Sequence, residues 1–94
     1  MRVLFAEDDD GLREVVERGL RENGYVVDSV ADGDDALHML TMNEYAVAIL
    51  DWQMPGLAGV EVVSRLRRQR LPVSVLMLTA RDEDVDKIIG LELG

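Results

Sequence analysis

Ala46-Val47-Ala48-Ile49-Leu50-Asp51-Trp52-Gln53-Met54-Pro55-Gly56 is the stretch that decides the architecture. Five apolar residues without alternation fit a strand covered on both faces, as the strands of a parallel sheet are. The run stops at an acid, and Pro55-Gly56 then turns the chain, because Pro fixes its own backbone and Gly follows freely. Two other apolar runs end in a similar way. Val3-Leu4-Phe5-Ala6 leads into Glu7-Asp8-Asp9, and Val73-Ser74-Val75-Leu76-Met77-Leu78 leads into Thr79. A fourth run, Val26-Val27-Asp28-Ser29-Val30, ends in Ala31-Asp32-Gly33 and has the polar centre that an edge strand tolerates. If the runs are parallel strands, three of the four deliver acidic or hydroxyl side chains to one edge of one sheet.

Helical spacing fills the intervals between strands. Leu12, Val15, Val16, Gly19 and Leu20 recur at the helical period over 10–23, with Asp9 or Asp10 as N-cap and Asn23-Gly24 as the stop. Ala36, Leu37 and Leu40 mark a second helix over 33–43. Val62, Val63 and Leu66 turn inward on a third over 58–69, and Pro72 ends the connection before the fourth strand. Asp82 can cap a fourth helix holding Val85, Ile88, Ile89 and Leu91. The alternation predicts one α/β domain over 1–94, with a parallel sheet, right-handed crossovers and helices on both faces. Ligands of such sheets bind outside the carboxyl ends of the strands, where the strand order reverses. The acids lie at that edge.

Composition narrows the function. The 94 residues are 48% hydrophobic and 31% charged, enough for one core. No cysteine is present, which excludes disulfides and thiolate metal sites, and no apolar run reaches the length of a membrane span. A cytoplasmic location without membrane contact is expected. The formal charge of −9 argues against this chain gripping nucleic acid by itself, since phosphate-backbone affinity comes from Lys and Arg.

Glu7, Asp8 and Asp51, crowded together, would repel strongly unless a cation sat among them, and all-oxygen ligation favours a hard ion such as Mg²⁺. Mg²⁺ takes one or two carboxylates and accepts phosphate oxygens in its remaining positions. Thr79 would add a hydroxyl from the neighbouring strand end. The remaining conspicuous residues read more plainly. His38 lies beside Leu37 and Met39 on an amphipathic helix as a partly exposed side chain. Arg65, Arg67, Arg68 and Arg70 suit the negative end of the third helix. Met39, Met42, Met54 and Met77 fill gaps or lie on the surface.

Glu7-Asp8-Asp9 after the first strand, Asp51 through Gly59 after the third and Thr79-Ala80-Arg81 after the fourth resemble the receiver domains of two-component response regulators. The resemblance runs the whole length of the chain. It implies a three-layer flavodoxin-like fold with sheet order 2-1-3-4, the flavodoxin order shortened by its last strand. It also implies that Asp51 accepts a phosphoryl group from a sensor histidine kinase or a small donor such as acetyl phosphate. Asp8 and Asp51 would bind Mg²⁺ directly, Gln53 through its backbone carbonyl and Glu7 mostly through metal-bound water. Thr79 is similar to the switch hydroxyl of the family. Pro55 and Gly59 match the positions that shape the acceptor loop, and the side chains of Gln53 and Arg81 match positions that tune self-dephosphorylation.

Members of that family continue past a segment like Gly90-Leu91-Glu92-Leu93-Gly94 into a fifth strand, a Lys-Pro dipeptide and a fifth helix. The expectation is therefore a receiver cut after its fourth helix, lacking the usual fifth strand and helix. Without that lysine phosphorylation from acetyl phosphate should be slow or undetectable, going to Asp51 once the missing segment is restored, and the open fourth strand should pair in a homodimer or domain-swapped assembly. The wording of the acceptor loop and of the chain's end is most like regulators with a winged-helix output domain, so DNA would be met only through a domain absent here. Two other readings compete. One is a receiver-like binding module that signals without phosphate. The other is a haloacid-dehalogenase-like phosphatase with Asp8 as nucleophile, suggested by Asp8-Asp9-Asp10-Gly11, but it leaves the Asp51-to-Gly59 stretch unexplained.

Overall fold

A computed structural model describes residues 1–78 and the backbone of 88–91. The chain runs β1 (Arg2–Ala6), α1 (Asp10–Glu22), β2 (Val26–Val30), α2 (Gly33–Met42), β3 (Val47–Asp51), α3 (Gly59–Arg68), β4 (Ser74–Leu78) and β5 (Ile88–Leu91). The first four strands are parallel in the order β2-β1-β3-β4, as the alternation of elements requires. Right-handed crossovers then put α1 on one face and α2 with α3 on the other, because the chain reverses its direction across the sheet after β2.

The helix ends follow local chemistry. Asp9 caps α1 by accepting the Leu12 N–H at 2.9 Å, and Asp32 caps α2 by accepting the Asp35 N–H at 2.7 Å. Each satisfies a donor that the first helical turn leaves unpaired. After α1 the chain leaves through Asn23 and then Gly24, whose φ of 91° is open to glycine without steric cost.

The core lies between the sheet and the α2/α3 layer. Leu4, Ala6, Ala48, Leu50, Val75 and Met77 of the strands meet Ala36, Leu40, Val62 and Leu66 of the helices. Val3 and Phe5 alternate with Leu4 and Ala6 along β1 and are also buried, as a strand covered on both faces demands. The α1 side is thinner. No residue of α1 is buried, and Leu12 and Val15 remain 45% and 63% exposed.

The end of the chain departs from expectation. Residues 88–91 were expected to lie on a helix capped by Asp82; instead Ile88–Leu91 is a strand, paired antiparallel with β4 through Leu76↔Leu91, Met77↔Gly90 and Leu78↔Ile88. The expectation of a four-stranded sheet with an open β4 edge is corrected with it. The β4 edge is a row of unpaired N–H and C=O groups, and a following apolar, β-branched run can satisfy them within the same chain. Over Leu76–Leu78 the edge expected to pair two copies is instead covered by β5. Asp82 and Val85 lie outside the described residues.

Candidate functional site

Three strand ends and one helix junction converge at the carboxyl edge of the sheet. β1 ends in Ala6, so Glu7 and Asp8 emerge at its tip; β3 lies beside β1 and ends in Asp51. Carboxylate oxygens of Glu7, Asp8 and Asp51 all lie within 4.8 Å of one another, a grouping able to hold a metal ion. Glu7 and Asp51 are buried at 5% and 6% exposure, whereas Asp8 is open to solvent.

Backbone contacts hold these acids in place. The Glu7 N–H donates to the Val30 carbonyl at 3.1 Å, which ties the tip of β1 to the end of β2. The Glu7 carboxylate accepts the Asp9 N–H at 3.0 Å. Beyond Asp51, the Trp52 N–H donates to the Leu78 carbonyl at 2.6 Å and the Gly59 N–H donates to the Trp52 carbonyl at 3.3 Å. A Cβ at Gly59 would stand 2.5 Å from the Asp51 carbonyl oxygen, so the start of α3 approaches the end of β3 only because that position carries no side chain.

Electrostatics follow from burial and crowding. Desolvation raises the Asp51 carboxyl above its ordinary 3.8, and the nearby Asp8 charge raises it further, while the Gln53 and Trp52 backbone N–H groups pull it partly back. Glu7 is also raised, again chiefly by burial and then by the Asp51 and Asp8 charges, against the lowering effect of the Asp9 N–H. Two buried acids that resist ionisation beside a third, exposed one make a donor set that a hard cation would relieve. The oxygen-only chemistry of the cluster fits Mg²⁺ better than a soft metal.

The structure thus brings together Glu7, Asp8 and Asp51. Gln53 follows in the exposed acceptor loop two residues beyond Asp51. Thr79 and Arg81 lie outside the described residues; Leu78, at the end of β4, pairs in register with Asp51. His38 is exposed on α2, as expected. Two contributors were not foreseen. Arg13 of α1 donates to the Glu7 carbonyl at 2.8 Å and bonds Asp10 at 2.5 Å; its i,i+3 spacing from Asp10 was visible in the sequence, its reach to Glu7 was not. Gly33, at the start of α2, donates its N–H to the Pro55 carbonyl at 3.1 Å, a contact that no local pattern announces.

Known proteins carry the same arrangement of sequence and fold. The family model described as "Response regulator receiver domain" matches residues 3–94. The chain belongs to the response regulator receiver family. Among curated relatives, the transcriptional regulatory protein TctD of Salmonella typhimurium is 47% identical over 94 residues, which is 100% of this chain and 42% of TctD. This receiver chain therefore spans less than half the length of that relative. Among solved structures, the response regulator TrrA of Thermotoga maritima in complex with Mg(2+)-BeF superposes with a TM-score of 0.80 at 33% identity, covering 87% of this chain and 71% of that one. TrrA in complex with the histidine kinase ThkA gives 0.77 at 34% identity, covering 84% and 68%. Receiver membership accounts for the Asp51-to-Gly59 stretch that the phosphatase reading left unexplained. Among the described residues no helix is long and apolar enough to cross a membrane.

Proposed function

We propose that this receiver accepts a phosphoryl group on Asp51 from a sensor histidine kinase, in a reaction that requires Mg²⁺. The observation that carries this reading is the buried Asp51 carboxylate within 4.8 Å of two other carboxylates at the carboxyl edge of a parallel sheet. Asp8 and Asp51 would hold the cation directly, with the Gln53 carbonyl, and Glu7 through a water. Mg²⁺, when bound, supplies positive charge against the oxygens of the incoming phosphoryl group.

An Asp51 carboxylate oxygen forms the new P–O bond as the P–N bond of the donor phosphohistidine breaks, and the imidazole leaves with its electron pair. Burial keeps Asp51 out of bulk water, and the nearby Gln53 and Trp52 backbone N–H groups partly offset the cost of its charge. Thr79 would be the hydroxyl that registers the phosphoryl group. The kinase as donor is supported by the ThkA complex of TrrA, and Mg²⁺ by its Mg(2+)-BeF complex. TctD's description as a transcriptional regulatory protein supports a transcriptional output through a domain outside these 94 residues, since a chain of charge −9 is poorly suited to DNA itself.

Trp52 is the only tryptophan and adjoins Asp51, so its fluorescence reports the site. A saturable Mg²⁺ response that disappears in Asp8→Asn/Asp51→Asn is expected. With acetyl phosphate and Mg²⁺, and with the family's lysine-bearing segment supplied, label trapped by borohydride should map to Asp51 alone. A Mg²⁺ response unaffected by the double substitution, or label on Asp8, would overturn the assignment.

A further inference from the structure

The acceptor loop from Gln53 to Ala58 leaves the sheet and returns to α3, anchored by Met54 in the core and Leu57 packed against it. Besides the Val62 N–H to the Ala58 carbonyl at 3.0 Å, which opens α3, the Gly33 N–H donates to the Pro55 carbonyl at 3.1 Å and ties the loop to the start of α2. Around that bond the two segments are pressed together. A Cβ at Gly33 would lie 2.6 Å from the Leu57 carbonyl carbon and 2.9 Å from its Cβ, far inside contact distance. From the other side, a Cβ at Gly56 would collide with the Asp34 carboxylate, and Gly56 also holds a φ of 74°.

The same junction reaches the other half of the acid cluster. Val30, three residues before Gly33, accepts the Glu7 N–H at 3.1 Å. The segment is itself stiff, because Asp32 caps α2 through the Asp35 N–H at 2.7 Å and accepts the Ala36 N–H on its carbonyl at 3.1 Å. Residues 30–34 therefore form a short brace, with Glu7 fixed at one end and the loop that follows Asp51 fixed at the other. Direct β1–β3 pairing, with Ala6 opposite Leu50, already spaces Glu7 and Asp8 from Asp51; the brace bears on the loop that carries the Gln53 carbonyl.

We propose that the β2–α2 junction is a positioning element for the acid site, in which Gly33 seats the acceptor loop against α2 and so sets the geometry in which a divalent cation is held. Gly33 touches no reacting atom and acts through Pro55 and Leu57. The role rests on the cation-dependent reading of the site given above, and its structural half can be tested without any cation. Outer residues that orient metal ligands change affinity by roughly 10–100-fold when altered. Gly33 acts one step removed, through Pro55 and Leu57, so the lower part of that range applies.

The test compares Gly33→Ala with the wild-type chain and with Gly19→Ala, where an added Cβ meets nothing within 4 Å. Without cation, amide resonances of Gln53, Met54, Leu57 and Glu7 should shift in Gly33→Ala and stay in place in Gly19→Ala. With Mg²⁺, Trp52 fluorescence at a temperature where the variant is fully folded should give a Kd about tenfold weaker. A merely structural glycine would lower the melting temperature and leave the Kd and the loop resonances unchanged, and that result overturns the proposal. If Gly33→Ala does not fold, Asp34→Ala takes its place, with Asp35→Ala as the control that removes the same charge from the same exposed turn. Weaker Mg²⁺ binding in Asp34→Ala than in Asp35→Ala supports the brace, and equal binding rejects it. A wild-type chain that ignores Mg²⁺ defeats the functional reading, while the cation-free resonances still decide whether the brace exists.

Discussion

Replacing Asp51 by asparagine should make the cation-free domain more stable, although it removes the residue on which function is proposed to turn. At 4.8 Å, the outer limit of the spacing among these carboxylate oxygens, two unit charges repel by about 3.5 kcal/mol at an effective dielectric of roughly 20. Asp8 is exposed, so water screens its share, and the raised Glu7 is a weaker neighbour because burial favours its neutral form. A net gain of roughly 1–2 kcal/mol remains for Asp51→Asn, which keeps one acceptor oxygen and nearly the same volume. For a domain of this length that corresponds to about 5–15 °C in melting temperature.

The pH dependence fixes the sign. Asp51 and Glu7 are both raised above their ordinary 3.8 and 4.5, so the native state still holds protons that the unfolded chain has released. Wild-type stability therefore falls as pH rises from those ordinary values through the raised native ones. The asparagine variant lacks the Asp51 part of that fall, and its advantage should vanish in acid. Circular-dichroism melts at pH 4 and pH 7.5, with EDTA and with Mg²⁺, measure each arm. Mg²⁺ should raise the wild-type melting temperature more than the variant's. An Asp51→Asn domain no more stable than wild type in EDTA at pH 7.5 would refute the account of a site held under charge repulsion.

Two predictions concern the frame around the site. Arg70 follows α3 with a φ of 60°, a left-handed conformation that a Cβ disfavours by roughly 1–2 kcal/mol; Arg70→Gly should raise stability by about 0.5–1 kcal/mol once the extra freedom of unfolded glycine is deducted, read as a higher urea midpoint at unchanged slope. Tyr45 is pushed up to about 12, first by burial and then by the Asp28 carboxylate that accepts its hydroxyl at 2.7 Å, so stability should fall as pH rises from the ordinary 10.0 towards that value. Tyr45→Phe should abolish that alkaline loss, cost about 1–2 kcal/mol at neutral pH, and let the lowered Asp28 rise towards its ordinary carboxylate value, since the Tyr45 hydroxyl is the largest cause of its depression. An alkaline unfolding profile identical in both proteins would count against the Tyr45–Asp28 pair.

The legible parts of the molecule were those in which one residue settles one question. Ala46 to Leu50 could be placed on an interior strand because nothing in it wants water, and Asp51 had then to emerge at that strand's end. Caps and stops such as Asp9 and Asn23-Gly24 work through their immediate neighbours, so α1 ends within a residue of the expected position. The grouping of Glu7, Asp8 and Asp51 followed from placing strand ends on one edge. Gly33 was opaque for the opposite reason. Its importance lies in a backbone atom of Leu57 that faces it from 24 positions away, and an isolated sequence records such a meeting only as one more glycine after an aspartate.

Residues 88–91 illustrate how tertiary demand overrides local pattern. Ile88, Ile89 and Leu91 fit the face of a helix begun at Asp82, yet a short apolar, β-branched run fits a strand equally well, and periodicity cannot separate the two at that length. The deciding quantity lies elsewhere in the chain. β4 presents one side to β3 and would leave its other row of backbone donors and acceptors unpaired. Pairing those groups with Leu91, Gly90 and Ile88 answers that demand within one chain, whereas a helix would leave it to a second copy or to water. An open edge demands a cover, and over Leu76–Leu78 that cover is an apolar strand-former already in the same chain.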